Sequence, residues 1–92
     1  MLPRNRPPFH PGEILSAEFL GPESVTQQAL ADALDVPIQR INTLVNGKRG
    51  VTPETAILLA RYFKTTPQFW MNLQAQYDLW HAERALAARN RT

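Results

Sequence analysis

Residues 26–49 read TQQALADALDVPIQRINTLVNGKR, and this stretch decides the fold because it predicts two short helices joined by a tight turn. In the first helix Leu30 and Leu34 share one side, and Thr26 stands just before it as a good N-cap. In the second helix, taken as residues 37–46, a rotation of about 100° per residue gathers the apolar residues on one side: Ile38, Ile41, Leu44 and Val45. The pattern is typical of a helix-turn-helix, whose second helix buries one face and exposes the other.

The exposed face of the second helix is polar and carries a single charge. Amide and guanidinium groups can hydrogen-bond to base edges in the major groove of DNA, so we expect this face to read bases through Gln39, Arg40, Asn42 and Thr43. Phosphate contacts are expected at the start of the first helix and just past the predicted end of the second, at Gln27, Lys48 and Arg49. Taken singly, Gln39, Asn42 and Thr43 are each explained equally well as solvated surface, and the whole set is the stronger indication of DNA binding.

The sequence on either side of this stretch carries a long and specific resemblance. Residues 45–79, VNGKRGVTPETAILLARYFKTTPQFWMNLQAQYDL, and residues 10–15, HPGEIL, are similar to the HigA (VapI-like) antitoxins. Residues 26–49 resemble the Xre/Cro type of helix-turn-helix, and Arg40 matches the family's P-x-x-R-I pattern. The resemblance implies an all-α, five-helix Xre/Cro-like domain with a longer C-terminal helix.

The same resemblance implies two activities. One is dimeric binding to a palindromic operator on double-stranded DNA, as a transcriptional autorepressor of its own operon. The other is neutralisation of a HigB-like (RelE-like) toxin protein, usually a ribosome-dependent mRNA endonuclease. The DNA-binding activity is also argued from the residues themselves, whereas the toxin rests on the resemblance alone.

Two residues depart from the usual helix-turn-helix pattern. Asp35 stands where the turn usually has glycine; aspartate tolerates the left-handed conformation better than most residues but less well than glycine. Pro37 stands where the second helix usually has a serine cap. Because proline suits a first helical position, we expect the helix to begin there without a side-chain cap. These departures affect the exact start of the helix and leave the fold unchanged.

The other helices follow from proline and capping signals. A helix that precedes the helix-turn-helix is predicted from Pro11 to Leu20, and Gly21 and Pro22 end it. Thr-Pro pairs at residues 52–53 and 66–67 predict the starts of a fourth and a fifth helix. The domain is therefore expected to span residues 10–88, between a flexible, basic arm of residues 1–9 and a tail of residues 89–92.

The fifth helix is predicted to run to about Ala88, which is longer than a core of this size requires. Trp70, Leu73, Tyr77 and Trp80 recur along it at steps of three and four. Trp70 and Leu73 are expected to close the core, whereas Tyr77 and Trp80 are predicted to form a homodimer interface. Dimerisation fits DNA reading, because two recognition helices about 34 Å apart match the two halves of a palindrome.

Composition adds mainly exclusions. The 92 residues contain no cysteine, which excludes disulfides and a thiolate zinc site, and a net charge of +2 is weak evidence for nucleic acid. His10 is expected to be a cap or arm residue and His81 a surface residue, so we expect no catalytic residues, no metal site, no cofactor and no enzyme. No signal-like or ~20-residue apolar run occurs, which predicts a soluble cytoplasmic protein without a membrane partner.

Two alternatives stay open beside the antitoxin hypothesis. One is an orphan Xre-type transcriptional regulator without a toxin, and the other is a protein-interaction module that lacks DNA binding. The residue pattern leaves the toxin-binding surface unknown. We expect the arm from Leu2 to Phe9 and the helix predicted from Pro11 to Leu20 to take part in toxin binding, because they lie outside the DNA-reading unit.

Overall fold

Five helical units follow one another along the chain. The computed structural model describes residues 7–89. Its elements are α1 (Pro11–Ile14), a π-helical segment (Leu15–Leu20) that continues α1, α2 (Gln27–Leu34), α3 (Ile38–Val45), α4 (Pro53–Phe63) and α5 (Pro67–Arg89). No strand occurs in this part of the chain, and the predicted all-α, five-helix fold with a longer C-terminal helix is confirmed. The division into arm, domain and tail stays a prediction, because residues 1–6 and 90–92 lie outside the description.

The core is one cluster of apolar side chains centred on α2, α3 and α4, and Trp70 of α5 closes it. Trp70 is fully buried, and its indole N–H donates to Thr65 Oγ1 at 2.8 Å. The rings of Phe19, Phe63 and Phe69 surround it, with centroid distances of 5.1, 6.5 and 5.0 Å. Tilted and edge-on pairs of this kind stabilise beyond the area they bury. The fifth helix is therefore anchored to the π-helical segment and to α4 through its first turn.

Threonine side chains cap three helices where the sequence predicts them. Each Oγ1 accepts a backbone N–H from three residues further on: Thr26 from Ala29 at 3.0 Å, Thr52 from Thr55 at 3.3 Å and Thr66 from Phe69 at 3.1 Å. A cap of this kind satisfies a donor that the helix itself leaves unpaired, and typically contributes about 1 kcal/mol. In α4 and α5 a proline follows the capping threonine, at a position where no N–H is needed.

The first helix differs from the uniform helix that the sequence predicts. After the single turn of α1, the chain widens into the π-helical segment, in which Gly21 N donates to Ser16 O at 3.0 Å, five residues back. In an α-helix, two residues five positions apart point in directions that differ by roughly 140° around the axis. In the wider π-helix the same two residues point in much more similar directions. The wider turn thus lets Leu15 and Leu20 both reach the core, where they are 0% and 7% exposed.

The turn before α3 carries the two residues that depart from the usual pattern. Asp35 adopts the left-handed conformation expected of it, with φ 57° and ψ 48°. Pro37 has an extended ψ of 146°, so it precedes the helix instead of opening it. The expected start at Pro37 is therefore wrong by one residue: α3 begins at Ile38 and, as expected, has no side-chain cap. Proline still suits the position, because the backbone φ of −62° there is the angle that its ring imposes. Its nitrogen also has no N–H that would need a hydrogen-bond partner.

A close backbone contact fixes α1 against the end of α3. A Cβ added to Gly12 would overlap the carbonyl group of Leu44 and would lie 3.0 Å from the Cα of Val45. All three neighbouring atoms belong to the backbone, so no side-chain rotation can relieve the overlap. Glycine at residue 12 is therefore what allows α1 to lie directly on the last turn of α3.

Replacing this glycine is expected to separate the two helices. Gly12→Ala should lower the free energy of unfolding by about 1–3 kcal/mol, because the added methyl group must displace backbone. Gly21→Ala is the matched control: its Cβ would meet Ser16 O at an ordinary 3.4 Å and its φ is −62°, so stability should be unchanged or slightly raised. Urea unfolding of both variants tests this, and equal midpoints would contradict the packing argument.

Candidate nucleic-acid interface

The outer face of α3 is the polar surface that the sequence predicts. Gln39 and Asn42 are exposed, and Arg40 and Thr43 are half-buried. On the inner face Ile41 and Leu44 are 0% and 1% exposed. Burial of these two side chains fixes the rotation of the helix, and with it the direction in which the polar side chains project.

Ile38 is more exposed than its place on the apolar side of the predicted helix suggests. It shares that side with Ile41, yet 37% of it is exposed. A helical side chain covers the turn that precedes it, and Ile38 is the first residue of α3, so no earlier turn lies beneath it. The result is one apolar group beside Gln39, at the N-terminal end of the polar face.

Side-chain hydrogen bonds hold several predicted site residues in place. Asn42 Nδ2 donates to Gln27 Oε1 at 3.3 Å, which joins α3 to the first turn of α2. Thr43 Oγ1 donates to the main-chain oxygen of Gln39 at 2.7 Å and accepts from Arg49 Nε at 3.2 Å. The structure therefore brings predicted base-reading and phosphate-binding residues together on one surface, already oriented before any ligand binds.

Arg40 projects differently from the other polar residues of α3. Its Nη1 lies 3.4 Å from Glu54 Oε1, in the first turn of α4, and its side chain is 31% exposed. A pair this open to solvent contributes little to stability, commonly below about 1 kcal/mol. Arg40 can thus exchange the carboxylate for a guanine or a phosphate at small cost. The pair went unpredicted because it joins two helices whose relative position depends on the whole fold.

The two cations after α3 lie where the sequence predicts them. Gly47, with φ 75°, ends the helix, and Lys48 and Arg49 follow it on the exposed surface. Residues 40–49 contain three basic residues and no acidic one, whereas residues 7–39 contain five acidic residues and no lysine or arginine. Positive charge is therefore concentrated on and just after α3, which suits an anionic ligand.

Tyr77 and Trp80, the predicted dimer residues, are half-buried against their own chain. The Tyr77 ring meets the edge of His10 at a centroid distance of 4.8 Å and lies 4.4 Å from His81. Arg84 stacks its guanidinium group 4.7 Å above the Trp80 ring. Their role in a dimer stays a prediction, because the structure contains one chain.

Two exposed leucines on α5 were not singled out from the sequence. Leu79 is 63% exposed and Leu86 is 52% exposed. They are seven residues apart, so they lie on the same side of the helix. This i, i+7 spacing is the sequence signal that identifies them. The expectation that Trp70 closes the core is confirmed by its complete burial.

His10 caps α1, as the sequence analysis expects. Its Nδ1 accepts the backbone N–H of Gly12 at 2.9 Å, and the residue is 4% exposed. Burial lowers the pKa of His10 below 6.5, and the nearby carboxylates of Glu13 and Asp78 oppose the shift. The cap requires the neutral ring, because a protonated Nδ1 has no lone pair to accept with.

Residues 7–89 contain neither a candidate metal site nor a candidate membrane span. No three or more His, Cys, Asp and Glu residues there are grouped so that they could hold a metal ion. None of the helices in that range combines the length and the apolar character needed to cross a membrane.

Comparison with known proteins identifies relatives over most of the chain. The helix-turn-helix family profile matches residues 18–70. Virulence-associated protein I of Dichelobacter nodosus is 49% identical over 77 residues, which cover 84% of this chain and 71% of that protein. Antitoxin HigA-1 of Vibrio cholerae serotype O1 is 45% identical over 76 residues, which cover 82% of this chain and 70% of that protein.

A solved structure shares the fold along nearly the whole chain. The antitoxin HigA of Pseudomonas aeruginosa, determined with the higBA promoter, superposes with a TM-score of 0.86. The two proteins are 45% identical, and the match covers 91% of each chain. The similarity therefore includes α1, all of the helix-turn-helix and most of α5.

The buried His10 cap is expected to make stability depend on pH. Because the folded-state pKa lies below the unfolded value of 6.5, the unfolded chain takes up a proton first as the pH falls. The contribution of neutral His10 is fully present above pH 6.5 and is lost progressively as the pH falls from there to the folded-state pKa. Urea midpoints at about pH 7.5 and about pH 5.5 measure the loss.

His10→Asn isolates this effect, since asparagine can cap the helix without titrating in this range. The variant should lose less stability than the wild-type protein between the two pH values. His81→Asn, which removes the exposed histidine, serves as the control and should keep the wild-type dependence. A His10→Asn variant that is as sensitive to pH as the wild-type protein would show that other groups are responsible.

Proposed function

The chain belongs to the HigA (VapI-like) antitoxins of the Xre/Cro helix-turn-helix family, and we propose that it is both a dimeric autorepressor and the antitoxin of a small toxin. The observation that carries the DNA-binding part is the 45% identical HigA structure determined with its promoter, whose fold this chain shares. The polar face of α3, with cations concentrated on and just after it, is the feature of this chain that fits such a ligand. Binding to an operator also requires that the protein act in the cytoplasm.

In the proposed complex α3 lies in the major groove. Gln39, Asn42 and Thr43 read base edges, and Arg40 leaves Glu54 to reach a guanine. Ile38 joins them as an apolar contact for a thymine methyl group, because it is the exposed apolar residue beside Gln39. The bond from Asn42 to Gln27 fixes one amide in advance, which reduces the side-chain entropy lost on binding.

Phosphate contacts position the helix on the duplex. Gln27 lies in the first turn of α2, where backbone N–H groups and the helix dipole favour an anion. Lys48 and Arg49 lie on the exposed surface past the other end of the helix-turn-helix. Contacts from both ends of the unit would set its register on the DNA, and they carry no sequence information themselves.

We propose that the homodimer forms through the outer half of α5. Leu79 and Leu86 supply exposed apolar surface on one side of the helix, and Tyr77 and Trp80 are held nearby by contacts within their own chain. A two-fold pair would present two copies of α3, and successive major-groove faces of DNA recur about every 34 Å. A palindromic operator is the matching target.

For the second activity we propose a HigB-like (RelE-like) toxin as the protein partner. The support is the family and the name of the 45% identical relative, Antitoxin HigA-1. The surface proposed for it consists of the arm from Leu2 to Phe9, of which residues 2–6 lie outside the described part, together with α1 and the π-helical segment. These elements leave the polar face of α3 free for DNA.

The base-reading role of Arg40 can be separated from general attraction to DNA. Arg40→Ala should cost about 1–3 kcal/mol of binding on the wild-type operator, and the loss should disappear when the contacted base pair is changed. Lys48→Ala is the comparison: it should weaken binding to all sequences alike and lower the slope of log K against log salt by about 1. Gel shifts on an operator and its single-base-pair variants, at several salt concentrations, measure both quantities.

If Arg40→Ala weakens binding equally on every operator variant, the base-reading role is contradicted. Arg40 is then a phosphate contact, or only a partner of Glu54. If the slope of log K against log salt is the same in Lys48→Ala as in the wild-type protein, Lys48 does not contact a phosphate. Because the Arg40–Glu54 pair is partly open to solvent and Lys48 is exposed, neither variant should change the free energy of unfolding by more than about 1 kcal/mol.

The antitoxin role is tested by co-expression with the neighbouring small open reading frame. If the proposal holds, the two proteins purify together from one tagged partner, and the chain restores growth when the other protein alone arrests it. A clean dimer that binds operator DNA with no partner and no rescue would leave the orphan regulator. Failure to bind the upstream DNA at low salt, by well-folded protein, would leave a protein-interaction module.

A further inference from the structure

An open groove lies between the N-terminal approach, the first helical unit and the end of α3. Its volume is about 350 Å³. The apolar lining consists of Phe9, Ile14, Ala17 and Val45, and the polar lining consists of Glu13, Ser16 and Glu18. We refer to these seven residues as the α1 groove. None of them belongs to the proposed DNA-reading set.

Two of the four apolar residues of the α1 groove are open to solvent. Phe9 is 60% exposed and Ala17 is exposed as well, while Ile14 and Val45 are half-buried. An exposed aromatic ring beside a concave apolar surface loses favourable burial free energy unless something covers it. Large aromatic side chains at such places are also the residues that most often anchor protein interfaces.

The two charged residues that line the α1 groove, Glu13 and Glu18, are both acidic. This charge repels the phosphates of DNA, so nucleic acid is disfavoured as the occupant. It attracts a cationic segment and would raise the rate at which one associates.

The backbone beneath the groove is unusual too. Ala17 and Glu18 come from the π-helical segment, a geometry that is rare in proteins and occurs frequently at functional sites. Val45 comes from the last turn of α3, so an occupant of the groove would contact the recognition helix without covering its polar face. The α1 groove therefore combines an apolar surface, an acidic border and a residue of α3, Val45, in its lining.

We propose that the α1 groove is the docking site of a cationic segment of the toxin, in which a lysine or arginine lies beside a bulky apolar side chain. The apolar side chain covers Phe9 and Ala17, and the cation pairs with Glu13 and Glu18. The proposal rests on the antitoxin function proposed above, and it assigns to that function a defined surface and a partner chemistry.

Three substitutions in the full-length chain test the proposal against the co-expressed neighbouring protein. Ala17→Trp fills the groove without changing its charge, and Glu18→Lys reverses the charge at its border. Glu23→Lys makes the same charge reversal at an exposed acidic residue outside the groove, and is the matched control. Partner affinity is measured by titration calorimetry at about 0.15 M salt and at higher salt, with operator binding and thermal unfolding measured in parallel.

Ala17→Trp and Glu18→Lys should each weaken partner binding at least about tenfold, and Glu23→Lys should change it less than about twofold. The wild-type complex should weaken as salt rises, and Glu18→Lys should reduce that dependence. Operator binding should not weaken in any of the three variants, and the two lysine variants should change it alike. If Ala17→Trp proves unstable in thermal unfolding, Glu18→Lys decides the matter, because it alters an exposed side chain only.

Several results would overturn the proposal, and they differ in what else they remove. A partner complex that is insensitive to both groove variants overturns the docking site and leaves the antitoxin function intact. A wild-type chain that binds no neighbouring protein overturns the antitoxin function and the docking site together. Groove variants that change the monomer–dimer equilibrium in sedimentation, with partner affinity unchanged, make the groove an interface between copies of this chain.

Discussion

Burial of one face of α3 is the constraint on which the rest of the structure depends. An isolated helix of eight residues is not stable in water, so α3 exists only because Ile41 and Leu44 are packed into the core. Gly12 completes the packing, because its lack of a side chain lets α1 lie on the last turn of α3. The polar face of α3 thus has a fixed direction before any ligand arrives, and each further element can be understood by how it supports that helix.

The division of charge along the chain gives the molecule two chemically different surfaces. The cations of residues 40–49 make the surface around α3 attractive to an anion, and Glu13 and Glu18 make the first helical unit attractive to a cation. Both surfaces meet at α3, which supplies Asn42 to one and Val45 to the other. The proposed DNA ligand and the proposed basic partner would therefore bind the same small domain without competing for the same charges.

Local chemistry explains what could be predicted from the sequence. The threonine caps, the left-handed Asp35 and the end of α3 at Gly47 each depend on a few neighbouring residues, and all were correctly expected. The π-helical segment, the exposure of Ile38 and the Arg40–Glu54 pair were missed. These features depend on how helices from different parts of the chain come to lie together, which periodicity within one helix does not contain. The α1 groove could not be predicted either, because it forms where the first helical unit meets the end of α3.

The length of α5 has a consequence for spectroscopy. Trp70 is sealed in the core, whereas Trp80 lies half-buried on the outer half of the helix, and residues 81–89 are all exposed. The chain therefore contains two tryptophan fluorophores, one reporting the cooperative melting of the core and the other the fraying or pairing of the outer helix. With Trp70 kept and Trp80→Phe, or the reverse, emission spectra would distinguish loss of the fold from separation of two chains. The opening of the outer helix could then be timed separately from global unfolding.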